Sequence, residues 1–407
     1  MNLLSYIKRF LSKNSYLDFV SKFIVVNVSQ MIFSLKYNRI NIENETIVFE
    51  CFQGRNISDS PYAIYKKIID DYGSENYKFI WVLDKRDNAS QERVIKNKNT
   101  SFVLYGTKEY DEVYAKSKYW VTNCRLPFRI KKKIEQKYIQ CWHGTPLKKL
   151  GHDISQGANA INSLLGLKYG YHVDSVRYDK FISPSRYATE CFYSSFKIQK
   201  EIILELGYPR NDYLVNNKHN EKEKNRIRNS LNIGTDKKVV LYAPTWRDNQ
   251  FSSKINSHFF DNRLEDEKFL SEFGEEYVFI FRGHYFTKTA EDNLFFINVS
   301  EYNDVNELYL ISDILITDYS SVFFDYALLE RPILFFMYDR SQYENENRGF
   351  YIDVESQLPG PICETIDELV SVMRNMPEKA LNRGFNELYN PYEDGDSTKR
   401  VVEEVFN

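Results

Sequence analysis

The stretch YIQCWHGTPLKKLGHD, Tyr138–Asp153, sets an imidazole, a glycine, a hydroxyl and two lysines directly behind an apolar run. Histidine is the side chain whose proton affinity lies nearest neutrality, so His143 suits general-base work on a hydroxyl. Gly144 permits close backbone approach, Thr145 supplies a hydroxyl, and Lys148 and Lys149 add positive charge. Taken alone, a loop histidine is more often structural or solvated. A second histidine follows another apolar run in FRGHYF, where Arg282, Gly283 and His284 stand together. A guanidinium there suits bidentate contact with phosphate oxygens, the plainer alternative being a pair with a surface carboxylate. In ITDYSSVFFDYALLE, Asp318 closes a strand and Ser320 and Ser321 open a helix, which makes an anion seat from unpaired N–H groups and the helix dipole. Simple capping by Ser320, worth about 1 kcal/mol, needs no ligand. Asp325, about one turn in, stands where it can meet a ribose or glycerol hydroxyl. YAPTWRD offers Thr245 and the ring of Trp246, which either stacks on a base or covers the core, and GYPRND places Arg210 at a hinge.

None of these groups is specific singly. Together they give two histidines, two arginines, two lysines and a serine pair at predicted strand ends. In open α/β sheets that is where ligands sit. The set has the shape of a pyrophosphate site with bases beside it. The Gly-rich dinucleotide fingerprint and the P-loop are both absent from the sequence. No DxD-like pair is placed to hold a divalent metal, so positive side chains and backbone donors are expected to neutralise the phosphates, with no metal and no cofactor.

The elements that must position these groups alternate. TIVFECF, YKFIWVL, SFVLYG, YWVTNC, YIQCWHG and KFISPS read as strands. SPYAIYKKIIDDYG (Ser60 as cap, Pro61 in the first turn, Gly73 at the stop), EVYAKSK and RYATECFYSSF read as helices between them. After LGYPRNDYL and a polar stretch the pattern repeats. KKVVLYAPTW, YVFIFRGH, LFFINVS, DILITDYS and PILFFMY are strands, and VNELYLIS and SVFFDYALLE helices. Strands apolar on both faces imply parallel sheets covered by helices. The expectation is an α/β protein of two Rossmann-like domains, 41–215 and 216–407, facing an interdomain cleft.

The 407 residues, 43% hydrophobic and 27% charged, supply enough apolar mass for two cores. A net charge of −3 argues against wholesale nucleic-acid binding. The five cysteines, Cys51, Cys124, Cys141, Cys191 and Cys363, lack metal-ligand spacing and read as reduced, buried thiols of a cytosolic protein. No stretch reaches about 18 uninterrupted apolar residues, so no membrane span is expected, nor a signal peptide. Residues 1–40 carry Lys8, Arg9, Lys13, Lys22, Lys36 and Arg39 against Asp18, interleaved with apolar residues at helical spacing. Such a basic amphipathic helix lies in an anionic lipid interface or docks on its own domain. Arg125, Arg129 and Lys131–Lys133 form a second basic cluster, read either as a membrane contact or as a solvated face.

The ordered set CWHGTPLKKLGHD, LGYPRND, LYAPTWRD, FRGHYF, ITDYSSVFFDYALLERPILFF and RGFYIDVESQLPGPI resembles the CDP-glycerol glycerophosphotransferase family of teichoic-acid synthesis, over most of the chain. The resemblance implies a GT-B architecture and transfer of glycerol phosphate from CDP-glycerol to an acceptor hydroxyl, with release of CMP. It places the catalytic base on His143 and a second essential histidine on His284. It places donor binding on Gly144, Thr145, Arg210, Thr245, Trp246, Arg282, Gly283, Ser320, Ser321 and Asp325. It implies as acceptor a polyprenyl-diphosphate-linked saccharide or a growing polymer, met at the cytoplasmic face of the cell membrane by a peripheral protein. The chain holds little more than a catalytic core, which favours a primase-like or capsule-type transferase. Rival readings are a CDP-ribitol transferase, an ordinary GT-B nucleotide-sugar glycosyltransferase and a non-catalytic binding protein. Paired histidines count against the last, because binding alone needs no proton acceptor.

Overall fold

A strand buried on both faces needs apolar side chains at consecutive positions, and Ile47, Val48 and Phe49 supply them at the centre of the first sheet. In the computed structural model of the protein the described residues are 14–84, 94, 96–155, 163–245, 251–252, 257–259, 264–283, 287–288, 296–341, 343, 349–376 and 383–406. They fall into two compact units, Met1–Arg210 with Asn347–Gly349 and Asp396–Asn407, and Asn211–Glu346 with Phe350–Gly395.

In the first unit, β1 (Glu43–Glu50), β2 (Lys78–Leu83), β3 (Thr100–Leu104), β4 (Ser117–Thr122), β5 (Lys137–Gln140), β6 (Lys180–Ser183) and β7 (Ile203–Glu205) form one sheet in the order β3-β2-β1-β4-β5-β6-β7. Every pairing is parallel. The chain winds outward from β1 in one direction and from β4 in the other. The carboxyl ends of β1 and β4 therefore bound the crevice where such sheets bind ligands. Alternation of side chains sends Val48, Val82, Trp120 and Tyr138 to one core. Ile47, Phe49, Trp81, Val121 and Ile139 go to the other.

Helix α1 (Ser15–Tyr37) docks on the first of these layers through Phe33 and Tyr37. Asp18 accepts hydrogen bonds from the Ser163 N–H at 2.9 Å and the Ser163 hydroxyl at 2.5 Å, 145 residues away. Ser163 caps α4 (Leu164–Ser175) in turn, and Gly166 is a glycine because a Cβ there would stand 2.1 Å from Asp18 Oδ2. On the opposite face of the helix Leu17, Val20, Ile24, Val28, Met31 and Leu35 are all exposed. By length and composition α1 is apolar enough to cross a membrane, although it holds no uninterrupted apolar run of about 18 residues. Single polar residues such as Ser21, Asn27 and Gln30 break the run without making the helix polar. Residues 1–13 lie outside the described residues.

Helix α2 (Asp59–Tyr72) and the last helix (Ser397–Phe406) cover the other face, where Val401 and Val402 are fully buried. The C-terminal turn thus belongs with the first unit, which corrects the expected boundary at 216–407. Burying two valines there contributes about 1.5–3 kcal/mol each, and sequence cannot say which sheet receives them. The start of α2 also differs from expectation: Ser58, not Ser60, is the N-cap and makes no side-chain capping bond.

The second unit repeats the plan. Strands β8 (Lys238–Ala243), β9 (Tyr277–Phe281), β10 (Phe296–Asn298), β11 (Ile314–Thr317), β12 (Ile333–Phe336) and β13 (Ile362–Cys363) form a parallel sheet in the order β10-β9-β8-β11-β12-β13. Its crevice lies beyond β8 and β11. The core is aromatic, built on Tyr242, Phe279, Phe281 and Phe336. All five cysteines are buried and none is paired.

Candidate active site

His143 stands three residues past β5, next to the β1/β4 crevice. Its exposed ring is turned so that Nδ1 lies 2.8 Å from the carbonyl oxygen of Asn123, just past β4. A carbonyl only accepts, so Nδ1 carries the hydrogen and Nε2 keeps its lone pair in the neutral ring. Surrounding protein disfavours the imidazolium and pulls the proton affinity of His143 down. Arg210 and Arg125 push the same way, while the Asn123 carbonyl and the Asp59 carboxylate oppose them without prevailing. A histidine below its ordinary value of about 6.5 is neutral at physiological pH, the state a general base requires.

The platform beneath this ring is unusual. Phe52, Gln53, Asp59 and Trp142 account for four of the seven non-glycine residues with positive φ among the described residues. Each costs of order 1–3 kcal/mol, so the strain is concentrated beside one imidazole. Gly54, at φ 83, is required: a Cβ would meet the backbone at Leu83 and Asp84 at 2.7 Å. Asn123 is fully buried, its Oδ1 accepting from Phe52 N–H at 2.9 Å and its Nδ2 donating to Asp59 Oδ2 at 3.0 Å. Arg210 NH1 lies 3.4 Å from Asp59 Oδ1, with both side chains almost fully buried, and its guanidinium stacks 4.0 Å over Tyr208. Behind them Glu50 is wholly enclosed, accepting from Tyr114 at 2.6 Å and Tyr110 at 3.0 Å. Burial pushes its carboxyl up to about 7, against those bonds.

Of the remaining first-unit candidates, Gly144 and Thr145 are buried, and Thr145 at 1% exposure offers nothing to solvent. The basic cluster is largely spent within the unit. Arg129 bonds Asp111, Lys132 pairs with Asp179 at 2.9 Å, and Lys133 reaches the Ile40 carbonyl.

In the second unit, Thr245 donates its N–H and hydroxyl to Asp318 Oδ1 at 2.8 and 2.7 Å, which ties the ends of β8 and β11 together. Ser320 and Ser321 lie beyond β11, both half-exposed. Ser321 makes no capping bond, so plain capping does not account for it. Helix α10 (Val322–Tyr326) has only five residues, so its dipole is small and the local N–H groups and hydroxyls matter more. Asp325 is buried and accepts from Asn211 Nδ2 at 3.1 Å. Arg282 sends NH1 to the carbonyls of Tyr302 at 2.8 Å and Val299 at 3.3 Å, which fixes the loop after β10. Gly283 N–H donates to Ser300. His284 and Trp246 lie outside the described residues.

The family described as CDP-Glycerol:Poly(glycerophosphate) glycerophosphotransferase matches residues 31–407. The chain is 41% identical over 358 residues to a teichoic acid poly(glycerol phosphate) polymerase of Staphylococcus epidermidis, covering 86% of this chain and 48% of that protein. It is 38% identical to a polymerase of the same description from Bacillus spizizenii, covering 92% of this chain and 96% of the relative. It thus spans about half the length of the first relative and nearly all of the second. A solved structure of the wall teichoic acid polymerase TagF, a histidine-to-asparagine variant soaked with CDPG, superposes with a TM-score of 0.84 at 36% identity, over 100% of this chain and 98% of that one.

Proposed function

The chain belongs to the CDP-glycerol:poly(glycerophosphate) glycerophosphotransferase family, and on that premise we propose that it transfers glycerol phosphate from CDP-glycerol to a hydroxyl of a teichoic-acid-type acceptor. The observation that carries the reading is the tautomer of His143. With Nδ1–H donated to the Asn123 carbonyl, the neutral ring keeps its lone pair on Nε2, which acts as the proton acceptor. It removes the proton of the acceptor hydroxyl. That oxygen attacks the phosphorus bearing glycerol, the bond to the CMP phosphate breaks, and CMP departs with the electron pair. The products are a new phosphodiester and CMP. Donor binding is assigned to the second unit, to the hydroxyls of Ser320 and Ser321 and the strand-end loop that Thr245 and Asp318 hold. His284, from the family resemblance, is assigned to stabilising charge on the transferred phosphoryl group.

The acceptor is proposed to be lipid-linked and met at the cytoplasmic membrane face. Helix α1 supports this. One side is fixed to its unit by Asp18, Phe33 and Tyr37. The other exposes an apolar stripe suited to lying in the interface. The test is to incubate the full chain with CDP-glycerol or CDP-ribitol and lipid-linked acceptors of graded length, reading CMP release and product mass. CMP release with CDP-glycerol and a mass gain of whole glycerol-phosphate units is expected. Absence of both with every acceptor would overturn the proposal.

A further inference from the structure

We infer that Asp59 and Asn123 are positioning residues for His143, forming a buried relay that holds the ring in its proton-accepting state and shares the charge that arrives there. The inference deepens the proposed reaction and rests on it. Asn123 touches the imidazole through its backbone carbonyl alone, so its side chain acts only by holding that carbonyl in place. Both ends of the amide are committed, to Phe52 N–H and to Asp59 Oδ2, and the Asn123 N–H donates to the Glu50 carbonyl at 3.3 Å. No freedom is left for the loop to swing away from Nδ1.

Asp59 has a plainer explanation, the capping of α2, since its Oδ1 accepts from Ser60 N–H. Capping uses one oxygen and needs no arginine. Here the second oxygen goes to Asn123, the carboxylate is buried with Arg210, and the residue holds φ 61, a conformation an aspartate adopts at a cost. A cap explains none of these three. The charged groups around the ring are Asp59, Arg210 and Arg125. The two cations disfavour the imidazolium and Asp59 alone favours it. When Nε2 takes the acceptor proton, the positive charge is stabilised through the Asn123 carbonyl and by the carboxylate one bond behind it. Arg210, expected from sequence as a donor ligand, is in this proposal the cation paired with Asp59.

The test uses the full chain labelled with ¹⁵N-histidine, the His143 signal being assigned by its loss in His143→Gln. Asp59→Asn keeps shape and tolerates positive φ, but it removes the charge and sets an amide donor against either Asn123 or Arg210. The His143 titration midpoint should move to lower pH, and the acid limb of kcat/KM should move with it. The kcat should fall about tenfold, less than the 10²–10⁴-fold that loss of the general base itself costs, while KM for CDP-glycerol changes less than twofold. Asn123→Ser should do the same, and the double variant should cost no more than the worse single one, because both break one relay. A midpoint and acid limb that stay put in Asp59→Asn, or costs that add, would overturn the inference. If Asp59→Asn does not fold, the same readouts on Asn123→Ser decide it. The titration is read without substrate, so absence of CDP-glycerol turnover in the wild type would sink the proposed reaction and leave the relay still tested.

Discussion

Replacing His143 with alanine separates chemistry from architecture, because the proposed reaction assigns the ring much of the first and the structure gives it little of the second. The ring is exposed, so the hydrophobic loss is small. It packs 4.3 Å from the ring of Trp142 and makes one hydrogen bond, to Asn123, worth about 1 kcal/mol net. Water can replace that bond at an exposed site. For a unit of this size, about 1 kcal/mol shifts the unfolding midpoint by roughly 2–4 °C. The catalytic cost is far larger. A positioned general base contributes about 10²–10⁴-fold, equivalent to roughly 3–5 kcal/mol of transition-state stabilisation. Steady-state CMP release, measured from pH 5 to 9 with saturating CDP-glycerol, reads both quantities. The wild type should lose activity as pH falls through the His143 pKa, which lies below the ordinary histidine value, because the base must be unprotonated. In His143→Ala that limb should vanish together with at least 99% of kcat, while affinity for CDP-glycerol holds. A variant that keeps more than a third of kcat, or the same acid limb, would refute the assignment of Nε2 as base.

Ser321→Ala should weaken CDP-glycerol binding about tenfold by calorimetry, the loss of one hydrogen bond to a charged group, with unfolding unchanged because the hydroxyl caps nothing; equal affinity would count against the donor seat. Glu50→Gln should flatten the pH dependence of stability. The folded-state pKa of Glu50, about 7, is raised above its ordinary 4.5, so its neutral form is favoured and stability falls as pH rises from about 4.5 to 7; the variant should gain up to roughly 3 kcal/mol above pH 7, read by urea unfolding at pH 5 and 8. Ile24→Asp with Met31→Asp, on exposed positions of one helix face, should cut flotation with anionic phospholipid vesicles at least tenfold without changing turnover of a water-soluble acceptor; undiminished flotation would remove α1 from the membrane contact.

The strand ends that carry the candidate groups were legible from sequence, and the hydrogen bonds those groups make were not. Apolar runs located nearly every strand of both sheets, and the helix at RYATECFYSSF ends where its sequence says it should, Arg186–Phe196. His143 was found because it follows such a run. Asn123 follows the run YWVT in the same way and was passed over, since an asparagine carries no proton chemistry of its own. Its importance comes from a backbone carbonyl and from Asp59, 64 residues away. Nothing in the local pattern announces that pairing. Ser320 and Ser321 were correctly placed at a helix start, yet only coordinates reveal that Ser321 leaves the capping role empty. The return of Ser397–Phe406 to the first unit escaped for a similar reason: the paired valines say that a face is buried, and not against what.

The charges read as ligands from sequence divide by burial. A guanidinium taken out of water must find its partners inside the protein, since an uncompensated buried ion costs several kcal/mol. Arg210 meets that demand with Asp59 and the Tyr208 ring, and the half-buried Arg282 gives NH1 to two carbonyls that fix a loop. Asp325 is likewise held by Asn211. An ion so committed shapes a site by rigidity and by its field, and its removal would be felt as misplacement of the groups it holds. The exposed groups near the same strand ends are the ones with capacity to spare, the Nε2 of His143 in one unit and the Ser321 hydroxyl in the other. The strain at Phe52, Gln53, Asp59 and Trp142 fits this division. It is tolerated because a buried ion pair and a fully bonded asparagine over-determine the loops around the exposed ring of His143.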